Sequence, residues 1–338
     1  MNQQFMPLVE AERIADASAH GFTAAELQAM VFEPIKYVVP RIITEGLTIL
    51  AGAPKIGKSW MALDIAKAVA TGGTCLGSLE CDQGNVLYLA LEDNRRRLQS
   101  RMRKTALTDD AWPDALEFMT DCPRSNEGGL DRVTEWFRRV PYPRLVIVDV
   151  LATFKAVKGE KEALYDADYA AIKPLKDLAM ANNFGLLVIH HTRKSKEQDD
   201  PFEKVSGSNG LNGAADTTLV LSRGSNGVTL YGRGRDIPEL ELAMKFEAES
   251  CKWHILGAAG DVLTSSERHK ILDALREAGS AMSPSDLCAA TGILTGNLRP
   301  LLFRMAKAGE IIKEGRGLYK LAEIMPGHSE SDGGEYGL

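Results

Sequence analysis

Five short apolar runs mark the first two thirds of the chain: LTILAG (47–52), VLYLAL (86–91), LVIVDV (145–150), LLVIHH (186–191) and TTLVLS (217–222). They are nearly continuous rather than alternating, the pattern of strands buried on both faces of a sheet. The segments between them, such as 58–70 and 164–183, repeat apolar residues at helical spacing. Strand and helix in alternation predict a mostly parallel α/β sheet flanked by helices. The later runs VTLYGR (228–233), LELAMKFE (240–247) and KWHIL (252–256) follow one another without helices and predict an antiparallel extension of that sheet.

After GAAGD (257–261) the pattern changes. SERHKILDALREAG (266–279) places Ile271, Leu272 and Leu275 on one helical face. Ser283 before Pro284 opens a second helix, a third is expected from Thr295 to Ala308, and GEIIKEGRGLYKL reads as a hairpin. The expected organisation is a helical N-terminal arm (1–40), an α/β domain (41–258), a linker (259–265), a small helical domain (266–322) and a polar, glycine-rich tail (323–338) expected to be disordered. Within the arm, AERIADASAH and AAELQAM read as helical, and Pro34 and Pro40 limit helix before the first strand.

Composition narrows the class. With 338 residues and 44% hydrophobic content, the chain has enough apolar material for one large core and a second small one. The net charge of −6 means that any nucleic-acid surface is a local patch and not a property of the whole molecule. The five cysteines, Cys75, Cys81, Cys122, Cys251 and Cys288, form no CxxC pair, and their odd number fits reduced thiols in a cytoplasmic protein. No apolar run approaches the roughly 18 residues of a membrane helix. Glu10 and Glu12 stand where a signal peptide would be basic and apolar, so neither export nor membrane insertion is expected.

The segment Gly52-Ala53-Pro54-Lys55-Ile56-Gly57-Lys58-Ser59 fits G-x-x-x-x-G-K-[ST], with a strand before it and a helix after it, and these residues with Trp60 are the expected nucleotide-binding set. The glycines permit a tight turn that aims backbone N–H groups at phosphate. Lys58 reaches the β- and γ-phosphates, and the Ser59 hydroxyl serves Mg²⁺. ATP and Mg²⁺ are therefore the expected ligands. LVIVDV ends in Asp149, placed to hold Mg²⁺ through water, and no carboxylate follows it. Hydrolysis also needs a group to deprotonate or orient water, and VLYLALEDN offers Glu92, with Asp93 or Asn94 as the cap of the arginine-rich helix behind it.

GAPKIGKSW, VLYLALEDNRRRLQSRMRK, LVIVDVLATF, VIHHTRK and VSGSNGLNGAADTTLVLSR, in this order, resemble the RecA-like P-loop ATPases close to RepA, the hexameric replicative helicase of plasmids. The resemblance covers roughly residues 35 to 250. It implies that Glu92 is the catalytic base and that His190 or His191 senses the γ-phosphate. It also implies a homo-oligomer, a hexamer in that family, with single-stranded DNA in a central channel. EKVSGSNGLNGAAD (203–216) resembles the DNA-holding loop of such rings, with Lys204, Ser206 and Asn209 suited to phosphate and Arg193 and Lys194 nearby. YGRGRD stands where related rings present a finger to the neighbouring subunit, making Arg233 or Arg235 the candidate.

Helix, helix-turn-helix and hairpin over 266–322 resemble the winged-helix modules of DNA-binding regulators, whereas the plasmid helicase ends with its ATPase domain. Between 266 and 320 there are nine Lys or Arg against six Asp or Glu, with Arg299 and Arg304 on the second helix of the pair and Arg316 on the wing. DNA contact and docking of replication proteins both remain open for this module. Two functions follow as expectations: a DNA helicase in replication of a mobile element, or an ATP-gated DNA-binding regulator or helicase loader. A small-molecule kinase fits less well, because neither an arginine-rich lid nor an acceptor pocket is evident.

Overall fold

In the first half of the computed structural model, every residue of the strand preceding the glycine-rich loop is buried. This strand, β1 (Gly46–Gly52), lies inside a nine-stranded sheet. The other strands are β2 (Asn85–Ala90), β3 (Leu116–Met119), β4 (Pro143–Asp149), β5 (Gly185–His191), β6 (Thr217–Gly224), β7 (Gly227–Gly234), β8 (Leu240–Glu247) and β9 (Lys252–Ala258). Their spatial order is β9-β8-β7-β6-β1-β5-β4-β2-β3. Pairing is parallel from β6 through β3 and antiparallel from β6 through β9. The structure describes residues 21–105, 111–156, 164–192, 200–205, 209–224, 226–315 and 317–322.

Period-two alternation along β1 divides it between two cores. Leu47, Ile49 and Ala51 join Trp136, Phe154 and Phe184 on one face. Leu50 joins Met61, Ile65 and Val69 on the other. Those three come from α1 (Lys58–Thr71), which follows the loop and ends at Gly72 in the left-handed conformation. α2 (Arg95–Thr105) follows β2, α3 (Leu130–Arg139) precedes β4, and α4 (Leu164–Ala181) precedes β5. Each fully buried aliphatic side chain contributes about 1.5–3 kcal/mol relative to exposure, so the two faces together hold the sheet between its helices.

The five apolar runs all fall in the parallel half of the sheet, and the three later runs form the antiparallel part. One parallel strand, β3, has no such run. Its sequence LEFM is only partly buried at the sheet edge, and Glu117 accepts from Trp136 Nε1 at 3.1 Å and from Arg139 at 2.6 Å. In the arm, Thr23 and Glu26 form a capping box on the short helix Ala24–Ala29, which buries none of its residues. The segment AERIADASAH and the tail 323–338 lie outside the described residues.

Contacts divide the chain into two compact units, Met1–Ala258 and Ala259–Leu338. The second contains α5 (Ala259–Ala278), α6 (Pro284–Thr291), α7 (Thr295–Lys307) and a hairpin of β10 (Ile311–Glu314) and β11 (Leu318–Leu321). Its core is built from Ile271, Leu275, Leu287, Leu298, Leu301, Leu302, Met305 and Ile311. Ser283 and Asp286 form a capping box on α6, and Gly292 closes it. Residues 259–265, expected from the change of pattern to be a linker, are the first turns of α5. One helical glycine costs only about 1 kcal/mol, which the following Val262 and Leu263 and a long helix readily offset. α7 likewise runs through Pro300, held by its buried leucines. No helix among the described residues is long and apolar enough to cross a membrane.

Candidate nucleotide site

The loop between β1 and α1 takes its shape from two glycines. Gly57 has φ +108°, in the left-handed region, and a Cβ on Gly52 would come within 2.6 Å of the Leu221 carbonyl oxygen. Ala53, Pro54 and Lys55 form the exposed crest, with Ile56 and Ser59 half-buried. Lys58 is turned inward and buried. Its Nζ donates to the carbonyls of Gly52 at 2.7 Å and Ala53 at 3.0 Å, and lies 3.1 Å from His191 Nδ1. Burial depresses the Lys58 ammonium to about 8, against the opposing pull of Asp149 and Glu92. Burial and the neighbouring Lys58 likewise lower the His191 pKa, which favours a neutral ring able to accept from the ammonium. His190 precedes it on β5, and alternation sends its side chain to the opposite face. Trp60, on the first turn of α1, packs under the Arg101 guanidinium 5.2 Å away.

Asp149 ends β4 and is buried. Tyr88 donates its hydroxyl to Asp149 Oδ2 at 2.8 Å, and Ser59 is a second hydrogen-bond partner. Burial raises the carboxyl pKa, while both hydrogen bonds pull it down. A buried carboxyl beside the loop hydroxyl is a donor set that fits Mg²⁺, whose charge would offset the penalty of burial. Glu92 follows β2 and is exposed. It lines one small cleft with Ser59, Asp93, Asp149, Arg97 and Arg101. Its neighbour Asp93 is occupied, bound by Arg97 at 2.9 Å and Arg101 at 2.5 Å. Asn94 is the cap of α2, its Oδ1 accepting from the Arg97 N–H at 2.9 Å. Neither task falls on Glu92. The loop, Glu92, Asp149 and His191 thus gather at the carboxyl ends of the neighbouring strands β1, β2, β4 and β5, where open α/β sheets bind ligands.

Arg233 and Arg235 lie elsewhere. Through Thr218, Arg233 is level with Ile49 in the middle of β1, and Arg235, whose N–H donates to the Asp216 carbonyl, lies nearer its amino end, whereas the loop leaves its carboxyl end. Within one chain they do not meet the loop. Arg233 binds Glu239 at 2.7 Å and Asp200 at 3.5 Å, and lies over the Phe202 ring at 4.4 Å. Arg235 stands 3.7 Å from Asp216, a buried carboxylate that also binds Lys176 at 2.7 Å and the Leu47 N–H at 2.9 Å. Of the candidate DNA contacts, Arg193, Lys194, Ser206 and Arg316 fall outside the described residues. Lys204 lies in the turn Glu203–Val205, and Asn209 opens the helical turn Asn209–Ala214. Arg299 and Arg304 are exposed on α7.

Two residues of the site carry no sequence signal. Tyr88 is an interior residue of an apolar run. Trp253, fully buried on β9, donates its indole N–H to the Gly57 carbonyl at 3.1 Å across 196 residues of sequence. A larger cavity of about 700 Å³, between α2 and β3, holds none of the loop residues.

A chain from the structure of a DnaB-like replicative helicase and its interactions with primase is similar to this one, with a TM-score of 0.50 and 15% identity. The likeness covers 73% of this chain and 65% of that chain, and at this identity it speaks for the fold alone. No curated protein matches the chain. The AAA domain family matches residues 12–197, a span that includes the glycine-rich loop, Glu92, Asp149 and both histidines. With more than half its length matched, the chain belongs to the AAA domain family of P-loop ATPases.

Proposed function

We propose that this protein hydrolyses ATP with Mg²⁺ to drive movement along DNA, as an oligomeric, hexameric helicase of the RepA type in replication of a mobile element. The observation that carries this reading is the convergence of Lys58, Ser59, Glu92, Asp149 and His191 at the carboxyl ends of neighbouring strands, with Glu92 free of the duties taken by Asp93 and Asn94. Ser59 and Asp149 would hold Mg²⁺, which supplies charge neutralisation of the phosphates. Lys58 binds phosphate oxygens, Glu92 accepts a proton from the attacking water, and His191, through its contact with Lys58, senses the γ-phosphate. Arg233 or Arg235 acts on the nucleotide of a neighbouring subunit, a role supported by their distance from the loop of their own chain. The 193–209 segment, with Lys204 and Asn209, holds single-stranded DNA, and residues 266–322 act as a winged helix.

Steady-state phosphate release with and without single-stranded DNA tests the enzyme reading. Lys58→Ala is expected to abolish turnover, and full turnover in that variant would remove the reading. Mixing Arg233→Ala/Arg235→Ala protein with Glu92→Gln protein tests the shared site. With subunit exchange proved, activity above both parents is expected; none would exclude a finger in trans.

A second reading, an ATP-gated DNA-binding regulator or loader without unwinding activity, draws support from α7. Its exposed face carries Phe303, 69% exposed, one turn from Arg299 and from Lys307, a mixture suited to docking a protein as well as DNA. A strand-displacement assay separates the two: ATP hydrolysis without displacement selects the loader.

A further inference from the structure

The glycine-rich loop is held from behind by a residue outside every nucleotide motif. Trp253 is 1% exposed, yet its indole N–H requires a partner, because a buried donor left without one is costly. That partner is the carbonyl of Gly57, 3.1 Å away. The same carbonyl accepts the helical bond from Met61 N at 3.1 Å, so both of its lone pairs are used. A peptide unit is planar and trans, so its N–H points opposite to its C=O. Pinning the Gly57 oxygen toward Trp253 and into α1 therefore aims the Lys58 N–H the other way, out of the amino end of the helix, where phosphate is received.

The ring also fixes the loop by shape. A Cβ on Gly57 would come within 3.0 Å of the indole, so the glycine is required by contact as well as by its φ of +108°. Phe246 of β8 packs on the indole with ring centroids 5.1 Å apart, and the Ile255 N–H donates to Leu76 just beyond α1 at 3.0 Å. β9 thus holds the loop before α1 and the segment that follows it.

We propose that Trp253 is a positioning residue of the phosphate loop, holding the Gly57–Lys58 peptide in the orientation that binds the phosphates of a nucleoside triphosphate. The inference rests on the nucleotide-binding reading above. It goes beyond it in assigning affinity to a hydrogen bond made from the last strand of the sheet.

The test is equilibrium binding of Mg-ATP to the full chain by titration calorimetry, with thermal unfolding measured on the same nucleotide-free samples. Trp253→Phe keeps an aromatic ring and removes the donor. It is expected to weaken ATP binding about tenfold, the factor that one ordinary hydrogen bond is worth. Replacing the indole by its benzothiophene analogue at position 253 removes only the N–H and should weaken binding to the same extent, which keeps the test open even if the phenylalanine variant unfolds. Phe246→Leu loosens packing around the ring without touching the donor, so it should lower the unfolding temperature and leave the ATP Kd unchanged. Wild-type affinity in the benzothiophene protein would overturn the proposal, as would an equal loss in Phe246→Leu. A wild-type protein that binds no ATP would instead remove the nucleotide-binding reading, and this inference with it.

Discussion

Adjacent acids at the end of β2 have different work, and partners distinguish them where sequence does not. Both line the cleft with Ser59 and Asp149, but only Asp93 is held there by two arginines. Glu92→Gln should therefore leave ATP binding and the unfolding temperature intact while turnover falls by roughly 100-fold or more. Asp93→Asn should do the reverse, lowering stability with turnover largely retained. Measuring both quantities on both variants decides the assignment, and harmless Glu92→Gln would defeat it. The depressed Lys58 ammonium gives a second expectation at this scale. Below about 8 the free protein already carries the charge that phosphate needs; above it, binding must first add a proton to Lys58. Mg-ATP affinity should thus fall as pH rises through about 8, visible as proton uptake in calorimetry performed in buffers of different ionisation enthalpy. An affinity flat from pH 7 to 9.5 would contradict the burial argument.

At the scale of elements, α2 shows how a cap keeps a catalytic candidate free. Its sequence RRRLQSRMRK concentrates positive charge, and Asn94 secures its first turn through the Arg97 N–H. Asn94→Ala should cost about 1 kcal/mol of stability, read as a lower unfolding midpoint with an unchanged denaturant slope. The parallel strands were legible in the sequence because burial on both faces demands continuous apolar runs. β3 was not, because an edge strand that is partly exposed tolerates Glu117 and loses that signature. The first turns of α5 were hidden by Gly260, whose turn preference is overridden by the helix that follows. The loop, Asp149 and Glu92 could be read from local spacing. The choice of His191 for contact with Lys58 could not, because two adjacent strand residues differ only in the face they present. Trp253 was beyond reach for another reason: its contact depends on the path of the whole antiparallel extension.

The nine-stranded sheet places its first strand, in order of synthesis, at the centre of contacts that arrive late. β1 is complete by residue 52, yet its neighbours are β5, which begins at Gly185, and β6, which begins at Thr217. The brace on Gly57 waits for residue 253. A chain emerging amino-end first therefore carries an apolar strand with no partner through most of its production, and closing so long a loop is slow. Nascent or truncated chains ending near residue 210 should sample collapsed states, bind no ATP and recruit chaperones, whereas a fragment ending at Ala258 should fold as the first unit and bind it. Limited proteolysis and ATP binding on a length series would locate the threshold; binding by the 210-residue fragment would disprove this order. The nucleotide site is consequently expected to be the last part of its unit to assemble, so a chain that stops short of β6 should not capture ATP.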